Sequence, residues 1–226
     1  RMPRVTTAFA AALALFMPLG RPLLIGLTPA VGIGAGLLST KAAFAQSAQD
    51  WFDSGLAKAK RGDLQGAIAD WTKAIEMYPR YADAYYNRGL AKRESGDLKS
   101  AIVDYTKAIE YNPKYAIPYY NRGNIKHDLK DYQGAIDDYT KAIGINPEFS
   151  QAYGNRGFSK EHTGDLKGAI TDYNKAIEIN PQDKIAFGNR GLIKQYNGDL
   201  KGACADWRKA AELGNKNAAK RVKKKC

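Results

Sequence analysis

Two cysteines and two histidines in 226 residues leave little material for metal or redox chemistry. No Cys-x-x-Cys occurs, and neither His127 nor His162 has an acidic or cysteine companion at metal-ligand spacing. A zinc site or a thioredoxin-like motif is therefore excluded, and no cofactor or metal is expected. No nucleophile and base recur together, which speaks against an enzyme. Acidic residues are missing altogether from the first 45 positions. No apolar run reaches the ~20 residues that span a bilayer. The chain also lacks any nucleic-acid recognition motif, although Lys and Arg outnumber Asp and Glu by 35 to 23.

What the chain has in abundance is itself. Gly55, Gly89, Gly123, Gly157 and Gly191 stand 34 residues apart, as do Ala67, Ala101, Ala135, Ala169 and Ala203. Ala74, Ala108, Ala142, Ala176 and Ala210 form a third series, and Pro79, Pro113, Pro147 and Pro181 close the first four units. A fixed period of this length marks a stacked repeat array, whose function lies along a surface and not in a closed catalytic pocket. Within 82–115, two helical patterns flank a break at Ser95-Gly96-Asp97, where Gly suits the turn and Asp a helix N-cap. Ala101, Tyr105 and Ala108 fall at i, i+4 and i+7 and make one apolar stripe. Asn112-Pro113 then stops the second helix. Small residues recur where two helices must approach closely, and large ones where gaps need filling.

With an aromatic at unit position 4, Gly at 8, Ala at 20, an aromatic at 24, Ala at 27 and Pro at 32, the repeat closely resembles the tetratricopeptide repeat. Position 4 reads Trp51, Tyr85, Tyr119, Tyr153 and Phe187; position 24 reads Trp71, Tyr105, Tyr139, Tyr173 and Trp207. The resemblance covers 48–217 and implies an all-α fold. That fold is a right-handed α-solenoid of five helix-turn-helix units, at 48–81, 82–115, 116–149, 150–183 and 184–217. Two positions depart from the pattern: Lys130 replaces the turn Gly of unit three, and Gly214-Asn215 replaces the closing Pro of unit five. Gly214 suits a helix end and Asn215 an N-cap, so 216–226 reads as a short capping helix.

The first 45 residues stand outside the array. Two apolar runs, Val5 to Leu19 and Leu23 to Leu38, are split by Gly20-Arg21-Pro22, and Ala43-Phe44-Ala45 follows as a small-x-small site. This order describes a secretory signal peptide over 1–45, with Met17 as an alternative start. An uncleaved N-terminal membrane anchor is the competing reading. The sequence style is similar to exported tetratricopeptide proteins of bacteria, cyanobacteria included. Export to the periplasm, the thylakoid lumen or the medium is therefore expected.

In an exported chain, Cys204 and Cys226 read as a disulfide joining antiparallel neighbours. The alternative is a small buried Cys204 and a frayed Cys226. Without residues 1–45 the chain carries 31 basic and 23 acidic residues, net +8. Lys216, Lys220, Arg221, Lys223, Lys224 and Lys225 crowd into the capping helix. They complement the helix dipole, or they meet anionic lipid or an acidic partner.

The resemblance also implies where a partner would sit. The first helix of each unit lines the concave face, through unit positions 2, 5, 6, 9, 12 and 13. Position 6 reads Asp53, Asn87, Asn121, Asn155 and Asn189. A side-chain amide carries both donors and an acceptor, so this ladder suits the backbone of an extended peptide; alternatively it binds water or its neighbours. The amides are expected to lie outside the core. Tyr86, Tyr120, Asn124 and Phe158 join the expected groove, and Gly154 and Gly188 should widen it towards the C-terminus. A clamp for chaperone C-terminal carboxylates is not expected, because Tyr120 and Ile185 stand where its basic residues would be. Arg88, Arg122, Arg156 and Arg190 at position 7 are read as pairing with the Asp of the preceding unit, Arg88 with Asp70 and onward, leaving Asp206 spare. A protein or peptide partner is the leading expectation, a membrane-surface role through the basic helix the alternative, and nucleic acid is not expected.

Overall fold

The computed structural model describes residues 35–226, with side chains from residue 47 onward. Of the expected targeting segment 1–45, residues 1–34 therefore lie outside the described residues. Among the described residues there are eleven α-helices and no strand. None of these helices is long and apolar enough to cross a membrane.

Two bodies are described separately, divided after Pro79. The first contains α1 (Ala35–Lys60), which runs through Ala43-Phe44-Ala45, and α2 (Leu64–Met77). The second contains the pairs α3 (Ala82–Glu94) and α4 (Leu98–Tyr111), α5 (Ala116–Asp128) and α6 (Tyr132–Ile145), α7 (Ser150–Thr163) and α8 (Leu166–Ile179), α9 (Lys184–Tyr196) and α10 (Leu200–Glu212), closed by α11 (Lys216–Lys225). Each pair packs on the next, so the second body is an α-solenoid in which every helix touches only near neighbours in sequence.

One local interaction explains the glycine period. Within each pair, Gly at position 8 faces the aromatic at position 24. A Cβ on Gly55 would lie 2.5 Å from the Trp71 indole nitrogen, and one on Gly123 2.8 Å from the Tyr139 ring. Only a bare Cα lets the helices close over these rings. Trp71, Tyr105, Tyr139, Tyr173 and Trp207 are thereby sealed in, each contributing roughly 1.5–3 kcal/mol by burial.

The helix boundaries follow from side chains as well. Asp63, Asp97, Asp131, Asp165 and Asp199 each accept a hydrogen bond from the backbone N–H three residues on, at 2.8–3.1 Å. These N-caps answer donors that a helix start leaves unpaired. The residue preceding the cap by one turns with positive φ: Gly62, Gly96, Gly164 and Gly198 at +82° to +89°, but Lys130 at +66° in unit three. Gly214 turns likewise at +87°, and Asn215 caps α11 by accepting from the N–H groups of Asn217 and Ala218.

The charged ladder differs from the sequence expectation. Arg88 does not pair with the preceding Asp70. Its Nε and Nη2 donate to Asp104 of its own unit at 2.9 and 2.7 Å. Arg122–Asp138, Arg156–Asp172 and Arg190–Asp206 repeat this fork, so Asp206 is not spare. Lys92, Lys126, Lys160 and Lys194 reach the same carboxylates at 2.8–2.9 Å. Asp70 instead receives Lys58 at 2.7 Å and the Ser54 hydroxyl. The bidentate fit of guanidinium to carboxylate selects the partner 16 residues on, which two crossing helices of one unit bring face to face. The link between units uses the remaining guanidinium nitrogen: Nη1 of Arg122, Arg156 and Arg190 donates to Thr106, Thr140 and Asn174 of the preceding unit at 2.7–3.1 Å.

Candidate peptide groove

The first helices α3, α5, α7 and α9 carry the expected ladder, and the structure gives each amide a different setting. Asn87 Nδ2 donates to the Asp83 carbonyl of its own helix at 2.8 Å. Asn121 is 7% exposed, so the expectation that it lies outside the core fails. Its Nδ2 reaches the Tyr86 hydroxyl at 3.5 Å, and its Oδ1 accepts from Arg93 Nη1 at 3.4 Å. Asn189 Nδ2 donates to the Tyr173 hydroxyl at 3.3 Å. Tyr86 and Tyr120 are wall and not free groove. Tyr86 packs at 5.1 Å from Tyr115, and Tyr120 at 4.8 Å from Phe149. Burial pushes the Tyr86 phenol up to about 12, against the Asn121 hydrogen bond, which lowers it.

At the centre two amides interlock. Asn155 Nδ2 spends both protons, on the Tyr120 hydroxyl at 3.1 Å and on Asn124 Oδ1 at 2.8 Å. Asn124 Oδ1 accepts a second bond from the Tyr139 hydroxyl at 2.8 Å. Two donors saturate that oxygen, which fixes the orientation of both amides. The Asn124 NH2 also turns one N–H towards the Tyr120 hydroxyl, which leaves its second N–H as donor and Asn155 Oδ1 as acceptor. Both residues line a cavity of about 340 Å³, together with Arg93, His127, Asp128, Tyr139 and Phe158. The cavity belongs to units two to four. The expected widening in the C-terminal half does not occur beside Gly188, because Asn215 Nδ2 stands 2.9 Å from where its Cβ would be. That same nitrogen donates to the Lys184 carbonyl.

A ring cluster forms the cavity's rim. Phe158, 39% exposed, lies 4.9 Å from His127 and 4.7 Å from His162, and Tyr132 stacks on His162 at 4.5 Å. Ser159 Oγ donates to the Asn155 carbonyl, so it accepts from His127 Nδ1, which is 2.9 Å away. His127 sits below the ordinary histidine value because burial disfavours its charged form and His162 repels it. Glu161, half-buried, is held above the usual carboxylate range by burial, although it accepts from the Tyr173 hydroxyl at 2.5 Å. The sequence analysis turned positions 12 and 13 towards the groove but did not single out Arg93, Glu161 or Asp128 there, and it named Tyr139 only as part of the repeat pattern. The available signal was position 12, which reads Ala59, Arg93, His127, Glu161 and Gln195 and so varies inside a constant frame. Among the described residues no group of His, Cys, Asp and Glu could hold a metal ion.

The other candidates lie at the closing end of the second body. Cys204 and Cys226 are bonded in the structure, with Cα atoms 5.7 Å apart, tying α11 to α10. Arg221 covers the buried Trp207 ring at 5.6 Å. Lys220, Lys223, Lys224 and Lys225 are exposed and form no ion pair among the described residues.

Family models described as TPR repeat and as tetratricopeptide repeat match residues 55–92 and 89–130, and 116–149 and 150–183, respectively. No curated protein sequence matches the chain. Among solved structures, MamA is 28% identical with a TM-score of 0.68, covering 73% of this chain and 96% of its own. YrrB, titled a TPR protein with an unusual peptide-binding site, is 21% identical with a TM-score of 0.70, covering 84% and 98%. PilF of Pseudomonas aeruginosa is 21% identical with a TM-score of 0.69, covering 78% and 81%. The likeness to the last two is one of fold.

Proposed function

Since the chain belongs to the tetratricopeptide repeat family, its repeat models spanning 55–183, we propose that it is a non-enzymatic scaffold. In this reading it holds an extended segment of a protein partner against α3, α5, α7 and α9. The observation that carries this is the interlocked pair Asn124–Asn155. It leaves one amide donor and one amide acceptor at the cavity, which is the complement of a single peptide unit. The peptide-binding site named for YrrB supports the same reading by analogy of fold. The rest of the ladder acts mainly by holding the groove wall in place.

The test is selection of short extended peptides on the full chain, followed by titration against Asn124→Asp. That change keeps the acceptor for Tyr139 and Asn155 but removes the free donor. Folding is retained and affinity falls by about tenfold or more, as expected for an interface acceptor left unpaired. A library that yields no binder, or a variant with full affinity, refutes the groove.

Export is part of the proposal, supported by the apolar runs and the A-x-A site within 1–45 and by a cysteine pair suited to an oxidising compartment. It places the scaffold in the periplasm, thylakoid lumen or medium, at work on an envelope assembly. A second reading rests on Lys220, Lys223, Lys224 and Lys225, whose charges are exposed and unpaired among the described residues. These suit an anionic membrane surface, at about 1 kcal/mol per contacting lysine. Co-sedimentation with phosphatidylglycerol vesicles that is lost when all four become Gln supports it, and absence of sedimentation rejects it.

A further inference from the structure

The position-24 tyrosines of units two to four are equivalent by sequence, yet one differs in its bonding. The Tyr139 hydroxyl donates to Asn124 Oδ1 and the Tyr173 hydroxyl to Glu161 Oε1. Each acceptor comes from position 9 or 12 of the same unit. In unit two those positions are Leu90 and Arg93, and neither offers an acceptor. Tyr105 is fully buried, and among the described residues its hydroxyl proton has no acceptor.

Beside it stands Arg93, at the edge of the central cavity. Arg93 is exposed and forms no ion pair among the described residues; it makes a long contact to Asn121 Oδ1 and donates towards the Tyr105 hydroxyl. The phenols around it, Tyr86, Tyr105 and Tyr120, all feel its positive charge. Arg93 can only donate, so it cannot take the proton of the Tyr105 hydroxyl. Asp128, the one acidic residue on the cavity lining, makes no ion pair with it. Among the described residues, a guanidinium without a counter-ion therefore lines the cavity, and directly behind it lies a buried hydroxyl without an acceptor.

We propose that this is a carboxylate subsite: an acidic group of the bound partner enters beside Arg93, pairs with its guanidinium and gives the Tyr105 hydroxyl its missing acceptor. The proposal rests on the groove reading above and adds the partner's chemistry to it. It is a different place from the chaperone-tail clamp, whose basic positions here are Tyr120 and Ile185. Charge-assisted bonds to a carboxylate are about twice as strong as neutral ones, so an acidic residue at one register of the peptide becomes the specificity determinant.

The experiment is a library of extended peptides, acetylated and amidated at their ends, selected in parallel on the full chain and on Arg93→Gln. On the unaltered chain Asp or Glu is enriched at one fixed register. On Arg93→Gln binders still emerge, but that enrichment disappears. For a selected peptide, Glu→Gln costs about tenfold on the unaltered chain and nothing on the variant. A free C-terminus offered in a second arm identifies a terminal carboxylate as the source if acidic enrichment appears only there. Binders without acidic preference in either arm, or a preference that survives Arg93→Gln, overturn the subsite and leave the groove standing. No binders at all overturn both. A readout in the free protein stands apart from ligand: Tyr105→Phe leaves the melting temperature unchanged or raised, whereas Tyr139→Phe and Tyr173→Phe lower it. Equal losses at all three remove the orphan hydroxyl from the argument.

Discussion

Lys130 tests the turn logic of the array. Four units turn into their second helix through Gly with φ between +82° and +89°; unit three does so through Lys130 at +66°. The hydrogen bond is kept in both kinds, from Lys130 N–H to the His127 carbonyl at 2.8 Å and from Gly164 N–H to the Glu161 carbonyl at 3.1 Å. Only the backbone conformation distinguishes them. A side chain in this left-handed region costs about 1–2 kcal/mol, of which glycine's extra freedom in the unfolded chain returns about 0.5–1. Lys130→Gly should therefore stabilise by about 0.5–1 kcal/mol, or roughly 1–4 °C for a domain of this size. Gly164→Lys should cost a similar amount, since a Cβ there meets nothing within 4 Å and only conformation changes. The double variant should return near the starting value. Urea unfolding followed by circular dichroism measures all three. A Lys130→Gly variant that is less stable would mean that the lysine side chain contributes something the turn geometry does not contain, and the reasoning would be refuted.

Asp138→Ala strands Arg122 and Lys126 against a buried site and should cost about 3–5 kcal/mol; replacing all three by apolar residues should recover much of it, and chemical denaturation that shows a loss below 1 kcal/mol refutes the triad. Cys204 and Cys226 should resist alkylation without reductant, and Cys226→Ser should lower stability by about 3 kcal/mol on chain-entropy grounds; mass spectrometry finding two free thiols contradicts it. His127 is depressed by burial and by His162, with Asp128 opposing. The unfolded chain thus binds this proton more tightly, and stability should fall as pH drops through the ordinary histidine range near 6.5. Glu161, raised by burial, works in the opposite direction because it gains stability on protonation. His127→Gln should flatten the loss between about pH 7 and 5, and an unchanged pH profile of the melting temperature rejects the assignment.

The period, the alternation of small and large packing residues and the Asp caps were legible in the sequence because each is a local requirement repeated at a fixed interval, whereas which Gly faces which ring came from the structure. Asp97 must cap α4 wherever the chain goes next. The Arg ladder was half legible. A charge series 34 residues apart announces a recurring partner, but Asp70 lies 18 residues before Arg88 and Asp104 lies 16 after it, and only the crossing of α3 on α4 decides between them. Asn121 and Asn155 share a unit position and were read alike. Their settings diverge because position 9 of unit three is Asn124, which engages Asn155, whereas position 9 of unit two is Leu90, which leaves Asn121 to Tyr86 and Arg93. The candidate subsite was hidden for the same reason: Tyr105 obeys the repeat, and it is the non-repeating Leu90 and Arg93 beside it that leave its hydroxyl without an acceptor.

Arg122 stands midway between its two partners, Thr106 sixteen residues before it and Asp138 sixteen after. A copy of unit two, three or four inserted beside its original would bring its own Arg and its own Asp, and it would offer a position-25 acceptor (Thr106, Thr140 or Asn174) to the unit that follows. No donor would be stranded at either seam. These central units can therefore be duplicated without stranding a guanidinium, while an insertion out of register at a unit boundary keeps the Arg–Asp forks inside each unit but removes the Nη1 link across that seam. Length is thus the freely heritable variable of this molecule, and the divergent residues at position 12 are what successive copies can specialise.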